Sequence, residues 1–464
     1  MEPSSLSTGL LAAVAALAAS SCAPPQAASA GPERAIVLFL VDTLRADRLS
    51  TYGHDRPTSP NLDRLAARGV VFERTWAAAP WTLPSTASLL TGLDAANHGA
   101  GLWGDWRDLD TQLPDGLAPE VPTIAERLAD AGWRCEAFVT NPFVGFGLER
   151  GFESFRLEQT EGADVVRYGL ERLAQEDGRP LFLLLHLMDV HDPLLVPDED
   201  VRAAEPDRWE VPLWARTFEM LAELPEHRDA RLELYDGAVH YADRQLGVLL
   251  DGIDALGLGD RTLVAFTSDH GEEVFESSAL QRSAGYRRPD GTRAVGHGHT
   301  LFEEVLRVPL VIGGGGLEQV AGRRVAALVA GHDLAPTLLQ LAGVDYDADA
   351  LDARSLQPWL EGREALPRAV FSTGIAYGPP RTALVRDGWQ LVRGAEGERT
   401  VLLEIGDATR SDRSADRPEV ATELESDLAV IERRVSARAG VPLVLSEEER
   451  ARLRAIGYLS DDSD

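Results

Sequence analysis

Three strongly apolar runs constrain the fold of this chain more than any other feature of its sequence. They cover residues 35–41, 181–188 and 262–267, show no polar alternation and have the length of single strands. Such runs are typical of strands that are buried on both faces of a sheet. Helical segments lie between them, as a doubly wound α/β fold requires. The sequence therefore predicts a large sheet covered by helices, bordered by a fourth apolar run at residues 308–312.

Each of the three runs is followed closely by an aspartate, and these are Asp42, Asp189 and Asp269. In open α/β sheets the ligand site lies at the carboxyl ends of the strands. We therefore expect the three carboxylates to converge on one crevice.

Two helices and a smaller subdomain follow from local signals. Ser59-Pro60 predicts a helix start and Gly69 its end, and residues 122–132 repeat the pattern with Thr123 near the start. Beyond about residue 362, short strand-like pieces predict a small antiparallel subdomain over 363–464 that closes with an amphipathic helix. The larger domain is expected over 34–362.

The overall charge excludes one class of partner. The formal net charge is -30, and no basic stripe with interleaved aromatics offsets it. Such a surface repels the phosphates of DNA and RNA. Nucleic acid is therefore not an expected partner, and the sequence identifies no protein partner.

The first thirty residues indicate export. Residues 9–19 are apolar, are followed by small residues and a Pro/Ala/Ser spacer, and are too short for a membrane-spanning helix. We expect a periplasmic or cell-envelope location, with a lipid anchor at Cys22 left open because the preceding residues only loosely resemble a lipoprotein cleavage box. Cys135, the other cysteine, is expected in a buried strand, so the mature domain has no internal disulfide.

The segment APWTLPSTASLLTG, residues 79–92, predicts a helix with Pro84 in its first turn and Thr82 at its N-terminus. Unpaired N–H groups and the helix dipole at that end favour an anion or a developing alkoxide. The alternative is that Thr82 only caps the helix.

Six ordered segments resemble motifs of the sulfatase family, which belongs to the alkaline phosphatase superfamily. They are VLFLVDTLRADRLSTYG, TWAAAPWTLPSTASLLTGL, FLLLHLMDVHDP, VAFTSDHGEE, GHGHTLFEEVLRVPLVI and the closing LRAIGYL. The resemblance implies an alkaline-phosphatase-like α/β/α sandwich with a large mixed sheet and a small C-terminal α+β subdomain. It also implies a metal-dependent hydrolase that acts on a small anionic sulfate or phosphate ester.

The nucleophile segment departs from the family pattern. Sulfatases convert the cysteine or serine of a C/S-x-P-x-R pattern to formylglycine, whereas Thr82 and Thr86 hold the first and last places here. A threonine nucleophile with a nearby asparagine, here Asn141, is similar to phosphodiesterases and phosphotransferases of the superfamily. Those activities, and a non-catalytic binding protein that retains the fold, are the alternatives to a hydrolase that uses Thr82.

The resemblance implies that Asp42, Asp269 and His270 bind one divalent metal, which Thr82 also contacts. A metal lowers the pKa of a hydroxyl and neutralises charge on the ester. The imidazole, and Thr43 in place of a second aspartate, favour zinc or manganese over calcium.

A second group of residues is expected across the crevice. The resemblance implies that His191 or His297 protonates the leaving group and that Asn141, Asp189 and His299 bind substrate. Alternatively, these histidines and Asp189 bind a second metal, which we leave open. His186 and His98 are expected to be structural. Four arginines lie in a segment that is either a solvated loop or a region that attracts anionic substrate, and these are Arg282, Arg287, Arg288 and Arg293.

Overall fold

The computed structural model describes residues 34–101, 113–175, 177–194, 197–204, 225–286, 295–436 and 438–455. The expected export segment with Cys22, and the arginines at 287, 288 and 293, lie outside these residues. Within the described ranges, no helix combines the length and the apolarity that crossing a membrane requires.

The secondary structure alternates between strands and helices through the first three quarters of the chain. The strands are β1 (Ala35–Val41), β2 (Gly69–Trp76), β3 (Asp115–Gly116), β4 (Arg134–Val139), β5 (Ser154–Leu157), β6 (Leu181–Leu187), β7 (Thr262–Ser268), β8 (Glu273–Val274), β9 (Val295–Gly296), β10 (Arg307–Gly314), β11 (Arg323–Ala330), β12 (Val370–Ser372), β13 (Thr382–Arg386), β14 (Trp389–Arg393), β15 (Val401–Glu404) and β16 (Val441–Pro442). The α-helices are α1 (Pro60–Ala66), α2 (Thr82–Thr91), α3 (Ile124–Asp130), α4 (Gly162–Leu173), α5 (Asp198–Ala204), α6 (Pro225–Ala255), α7 (Ser278–Ala284), α8 (Glu303–Leu306), α9 (Leu334–Ala342), α10 (Gln357–Leu360), α11 (Pro418–Glu432) and α12 (Glu447–Ala455).

An eight-stranded mixed sheet forms the centre of the molecule, in the order β11-β2-β10-β7-β1-β6-β4-β5. The three apolar runs are its central strands, since β1 pairs in parallel with both β6 and β7. The fourth run is β10, which pairs antiparallel with β2 and β7 and is therefore an interior strand, not a border strand as predicted. The pairings confirm the predicted large sheet and its mixed character.

Helices cover both faces of this sheet. Ile36 and Leu38 of β1 belong to a core cluster with apolar residues of α2, α3 and α9. Val37 and Phe39, which alternate with them, belong to a second cluster with residues of α1, α4 and α6. Because successive side chains of a strand point to opposite faces, each face of β1 has its own helical layer. The predicted α/β/α sandwich is therefore confirmed.

The two predicted helices form with different end chemistry. At the start of α3, Thr123 and Glu126 make a reciprocal capping box. Ser59 occupies the N-cap position of α1, but its hydroxyl contacts Ser50 and the Thr51 N–H instead of capping the helix. Gly69 begins β2, so α1 ends at Ala66, earlier than predicted.

A second, four-stranded antiparallel sheet, β12-β13-β14-β15, follows in the chain. Helix α11 packs on it through Leu424 and Leu428. Leu453 of α12 is buried in the core of the main sheet. The predicted small antiparallel sheet and closing helix are confirmed, whereas the domain boundary near residue 362 stays a prediction.

Candidate active site

The helix that carries Thr82 begins as predicted, although Thr82 does not cap it. Helix α2 starts at Thr82, has Trp81 in the extended N-cap position, and ends before Gly92, whose φ is 76°. No side chain caps the start of α2. The Thr82 hydroxyl instead lies 3.4 Å from Nε2 of His270 and accepts a hydrogen bond from Asn141. The Thr82 side chain therefore does not cap α2, and its hydroxyl contacts residues of other elements instead.

Asn141 links Thr82 to the end of the central strand. Its Nδ2 group donates to Oδ2 of Asp42 at 2.8 Å and to Oγ1 of Thr82 at 3.2 Å. Its Oδ1 atom accepts from the Phe143 N–H at 3.0 Å, which fixes the orientation of the amide. Asn141 thus presents its donor group to the site.

Asp42, Asp269 and His270 meet because β1 and β7 are parallel neighbours in register. Val41 is paired with Ser268, so the residues that follow each strand lie side by side. Nε2 of His270 lies 3.4 Å from Oδ1 of Asp42 and 3.5 Å from Oδ2 of Asp269. Nδ1 of His270 lies 2.9 Å from the Gly271 carbonyl, so Nδ1 carries the proton and Nε2 presents its lone pair to the carboxylates.

His186, which we expected to be structural, joins this group. Its Nε2 lies 3.6 Å from Oδ2 of Asp42, and its Nδ1 lies 3.3 Å from the Thr140 hydroxyl. Asp42, His186 and Asp269 each offer a ligand atom within 4.8 Å of the others. The sequence signal was a polar residue in an apolar run, one position before the end of β6.

The donor atoms of this group fit a divalent cation. Asp42 Oδ1, Asp269 Oδ2 and His186 Nε2 are buried and have no hydrogen-bond partner among the described residues. Burial and the Asp42 carboxylate raise the pKa of Asp269 well above its usual value. Burial and His297 lower the pKa of His270 to about 3, which keeps that imidazole neutral. Two adjacent buried carboxylates and neutral imidazoles are a donor set that a cation would satisfy.

His191 and His297 lie beside this group. The His297 ring centroid is 4.5 Å from that of His270 and 5.1 Å from that of His191. Nδ1 of His297 lies 3.2 Å from Oε1 of Glu272, and Nδ1 of His191 lies 2.7 Å from the Asp192 carbonyl. Glu272 was not singled out in the sequence, although it directly follows the Asp-His-Gly motif.

Asp189 and His299 make their contacts elsewhere. Oδ1 of Asp189 accepts from the Gly162 N–H at the start of α4, and Nε2 of His299 lies 3.1 Å from Oε2 of Glu273. The pairing of Leu40 with His186 places His186 on the face of Asp42. Asp189 lies in the turn after β6 and contacts the start of α4, which packs on the opposite face. The expected convergence of three carboxylates is therefore wrong for Asp189. A substrate-binding role for these two residues stays a prediction.

The remaining sequence candidates lie outside the group around Thr82. His98 is buried behind α2, where its Nε2 lies 3.0 Å from the Ser88 hydroxyl and 3.0 Å from the Pro84 carbonyl, as a structural residue would. Arg282 lies in α7. Cys135 is buried in β4, as predicted.

Comparison with known proteins identifies the family that this chain resembles. Residues 34–344 match the family model described as Sulfatase. The chain is 29% identical to arylsulfatase A of Homo sapiens over 366 residues, which cover 72% of this chain and 69% of that protein. It is 25% identical over 308 residues to a protein of Haloferax volcanii named low-salt glycan biosynthesis sulfotransferase, covering 66% of this chain and 60% of that protein.

The fold is shared with solved structures. The phosphonate monoester hydrolase of Agrobacterium radiobacter superposes with a TM-score of 0.68 at 19% identity, covering 86% of this chain and 96% of that one. The family model matches more than half of the chain. The protein therefore belongs to the sulfatase family, a branch of the alkaline phosphatase superfamily of sulfuric and phosphoric ester hydrolases.

Proposed function

We propose that this protein is a metal-dependent hydrolase of sulfate or phosphate esters in which Thr82 replaces formylglycine as the nucleophile. The observation that carries the proposal is the position of the Thr82 hydroxyl. It lies at the first residue of α2, caps nothing, and contacts Asn141 and His270 beside two buried carboxylates. A capping threonine would direct its oxygen to the helix N–H groups instead.

The proposed reaction has two steps, transfer of the sulfate or phosphate group to Thr82 and its release by water. Oγ1 of Thr82 loses its proton to solvent and attacks sulfur or phosphorus, the bond to the leaving oxygen breaks, and that oxygen takes up a proton. Water then attacks the Thr82 ester, which releases sulfate or phosphate and restores the hydroxyl. The N-terminus of α2 and the Asn141 amide are suited to hold the anionic oxygens during both steps.

Asp42, Asp269, His270 and His186 would hold the divalent cation, which we propose is zinc or manganese because imidazole is part of the donor set. When bound, such an ion lowers the pKa of the nucleophilic hydroxyl and neutralises charge on the ester. The alternative to an acid role for His191 and His297 is that they hold a second cation, and metal analysis of wild type and His297→Ala distinguishes the two. Two equivalents that fall to one in the variant would support the second site, and one equivalent in both proteins would leave these histidines as substrate contacts.

His297 or His191 is proposed to protonate the leaving oxygen. Each imidazole is held through Nδ1, by the Glu272 carboxylate and the Asp192 carbonyl respectively. With Nδ1 protonated in this way, Nε2 is the ring nitrogen that a general acid would use to deliver a proton to the ester.

Thr82→Ala tests the nucleophile, with Thr86→Ala as the matched control. Thr86 lies one turn further along α2, is equally buried, and its hydroxyl has no described partner. We expect Thr82→Ala to abolish turnover of 4-nitrophenyl sulfate, 4-nitrophenyl phosphate or bis(4-nitrophenyl) phosphate, whichever the wild type hydrolyses, and Thr86→Ala to retain it. Full activity of Thr82→Ala would overturn the proposal.

A transferase is the second candidate, because one relative is named a sulfotransferase. The first step is the same, and an alcohol replaces water in the second. Adding an alcohol acceptor such as glycerol during turnover distinguishes the two. A transferase would give a new ester as the main product, whereas a hydrolase would release the free anion.

We also propose that the protein acts outside the cytoplasm, from the composition of residues 1–30. Fractionation of expressing cells tests the location. Release from the envelope by Cys22→Ala would support a lipid anchor, and an unchanged distribution would contradict it.

A further inference from the structure

The turn that carries His297 is held by the C-terminal part of the chain. Residues 372–381, which we call the strap, run from β12 to the start of β13. The Gly298 carbonyl accepts hydrogen bonds from the N–H groups of Ala376 and Tyr377 at 2.8 and 2.9 Å. Gly298 itself has a φ of 76°, and a Cβ there would lie 3.0 Å from the Tyr377 ring. The turn at 297–299 therefore has a close fit against the strap.

The strap also contacts the segment that leads into Thr82. The Ser372 hydroxyl donates to the Ala77 carbonyl at 2.7 Å, and Nε1 of Trp81 donates to the Gly374 carbonyl at 2.7 Å. The Gly298 N–H donates to the Pro80 carbonyl at 2.8 Å, which joins the His297 turn directly to the nucleophile segment. Each of the three segments, the strap, the His297 turn and the segment that leads into Thr82, is thus hydrogen-bonded to the other two.

Arg381 is the charged residue in this arrangement. Its side chain is 1% exposed, and its Nη1 donates to the His299 carbonyl at 2.7 Å. Its other nitrogens form a two-point ion pair with Glu398, and its guanidinium lies 4.4 Å from the centroid of the Tyr286 ring. A planar guanidinium held at both ends fixes direction as well as distance. Arg381 is therefore the side chain that, together with the backbone hydrogen bonds of the strap, fixes the His297 turn.

We propose that Arg381 is a positioning residue for His297, so that the C-terminal subdomain sets the efficiency of leaving-group protonation. The inference rests on the proposed acid role of His297. Arg381 contacts neither Thr82 nor the carboxylates among its described contacts, so it acts through the turn alone. A purely structural residue would slow all substrates alike, whereas a residue that positions an acid affects mainly esters whose leaving group needs a proton.

The test compares phenyl and 4-nitrophenyl esters, as sulfates or phosphates according to which the wild type hydrolyses. The nitrophenolate leaves without help, whereas phenolate benefits from protonation. The variants are His297→Ala, Arg381→Lys, Arg381→Gln and the double variant Arg381→Gln/Glu398→Gln, which leaves no buried charge unpaired. Arg393→Gln is the matched control, because Arg393 lies in the same small sheet and its described side-chain contacts are Glu432 and the Glu425 carbonyl of α11.

We expect His297→Ala to slow the phenyl ester by about 10²–10⁴-fold and the nitrophenyl ester much less. The Arg381→Gln and double variants should shift the ratio of the two rates in the same direction by roughly tenfold, a part of the acid contribution. Arg381→Lys should fall between them and the wild type, and Arg393→Gln should keep the wild-type ratio. Thermal melting identifies variants that fold, and if Arg381→Gln does not, Arg381→Lys and the double variant carry the test.

Two results would overturn the positioning role of Arg381, and only one of them also overturns the acid role of His297. If His297→Ala shifts the ratio while the folded Arg381 variants keep the wild-type value, only the positioning role is wrong. If His297→Ala itself keeps the wild-type ratio, the acid role in the proposed function is wrong and the positioning role falls with it.

Discussion

His186→Ala is the substitution that most sharply tests the proposed donor set. The imidazole is buried, its Nε2 has no described hydrogen-bond partner, and it lies 3.6 Å from Oδ2 of Asp42. If His186 binds the cation, its removal weakens metal binding, because the two carboxylates then lose a neutral donor. If it is only a core residue, its removal destabilises the fold without changing the response to metal.

The expected size follows from linkage between metal binding and folding. Residues that merely orient a ligand already change metal affinity by about 10–100-fold. A cation present at 100 times its Kd stabilises the folded state by about 2.7 kcal/mol. A 100-fold weaker site at the same concentration retains only RT ln 2, about 0.4 kcal/mol. The metal-dependent part of the unfolding free energy should therefore fall by roughly 2 kcal/mol in His186→Ala.

Urea unfolding with zinc and with a chelator measures this difference directly. His98→Ala is the matched control, because His98 is an equally buried histidine that contacts Ser88 and Pro84. It should lower stability by the same amount with zinc and with chelator. A zinc-dependent stabilisation in His186→Ala that equals the wild-type value would refute the assignment of His186 as a ligand.

Two further predictions concern the donor beside Thr82 and the pH dependence of stability. Asn141→Ala should lower kcat by about 10²–10³-fold, because the amide donor to the anionic oxygens is lost. Steady-state kinetics measures this change. A kcat within about threefold of the wild-type value would contradict the donor role of Asn141. Burial and the Asp352 carboxylate raise the pKa of Asp94 to about 7, so the stabilising contribution of its neutral form is complete below about pH 4 and is lost as the pH rises to about 7. Asp94→Asn should therefore be more stable than wild type at about pH 8, by about 4 kcal/mol, in urea unfolding. An equal or lower stability there would contradict the shifted pKa.

Part of the site could be predicted because it depends on short-range pattern and strand order. Asp42 and Asp269 each follow an apolar run, and parallel neighbours bring such residues together at the carboxyl edge. Pro84 and Gly92 bracketed α2, which placed Thr82 at its first residue. These features need only the sequence and the general geometry of strands and helices.

His186 and Asp189 could not be assigned, because the sequence does not reveal strand register. His186 lies within β6, whereas Asp189 lies in the turn that follows the strand and contacts the start of α4. Only the pairing of Val41 with Leu187 shows that His186 shares the face of Asp42. A histidine in an apolar run reads as core until that pairing is known.

The contacts of the strap could not be predicted from the sequence for a different reason. Its bonds join residues that are far apart in the chain, such as Arg381 with His299 at a separation of 82 and Trp81 with Gly374 at a separation of 293. Most of them run through backbone carbonyls, which carry no residue-type signal. Such contacts follow from the packing of the small sheet against the main domain.

Mass spectrometry of the wild type, quenched in acid during turnover, tests directly whether Thr82 is the nucleophile. We expect a covalent sulfate or phosphate on the peptide that contains Thr82, and none on that peptide in Thr82→Ala. An unmodified Thr82 peptide together with an active Thr82→Ala variant would show that Thr82 is not the nucleophile, because an activated water would then be the attacking group.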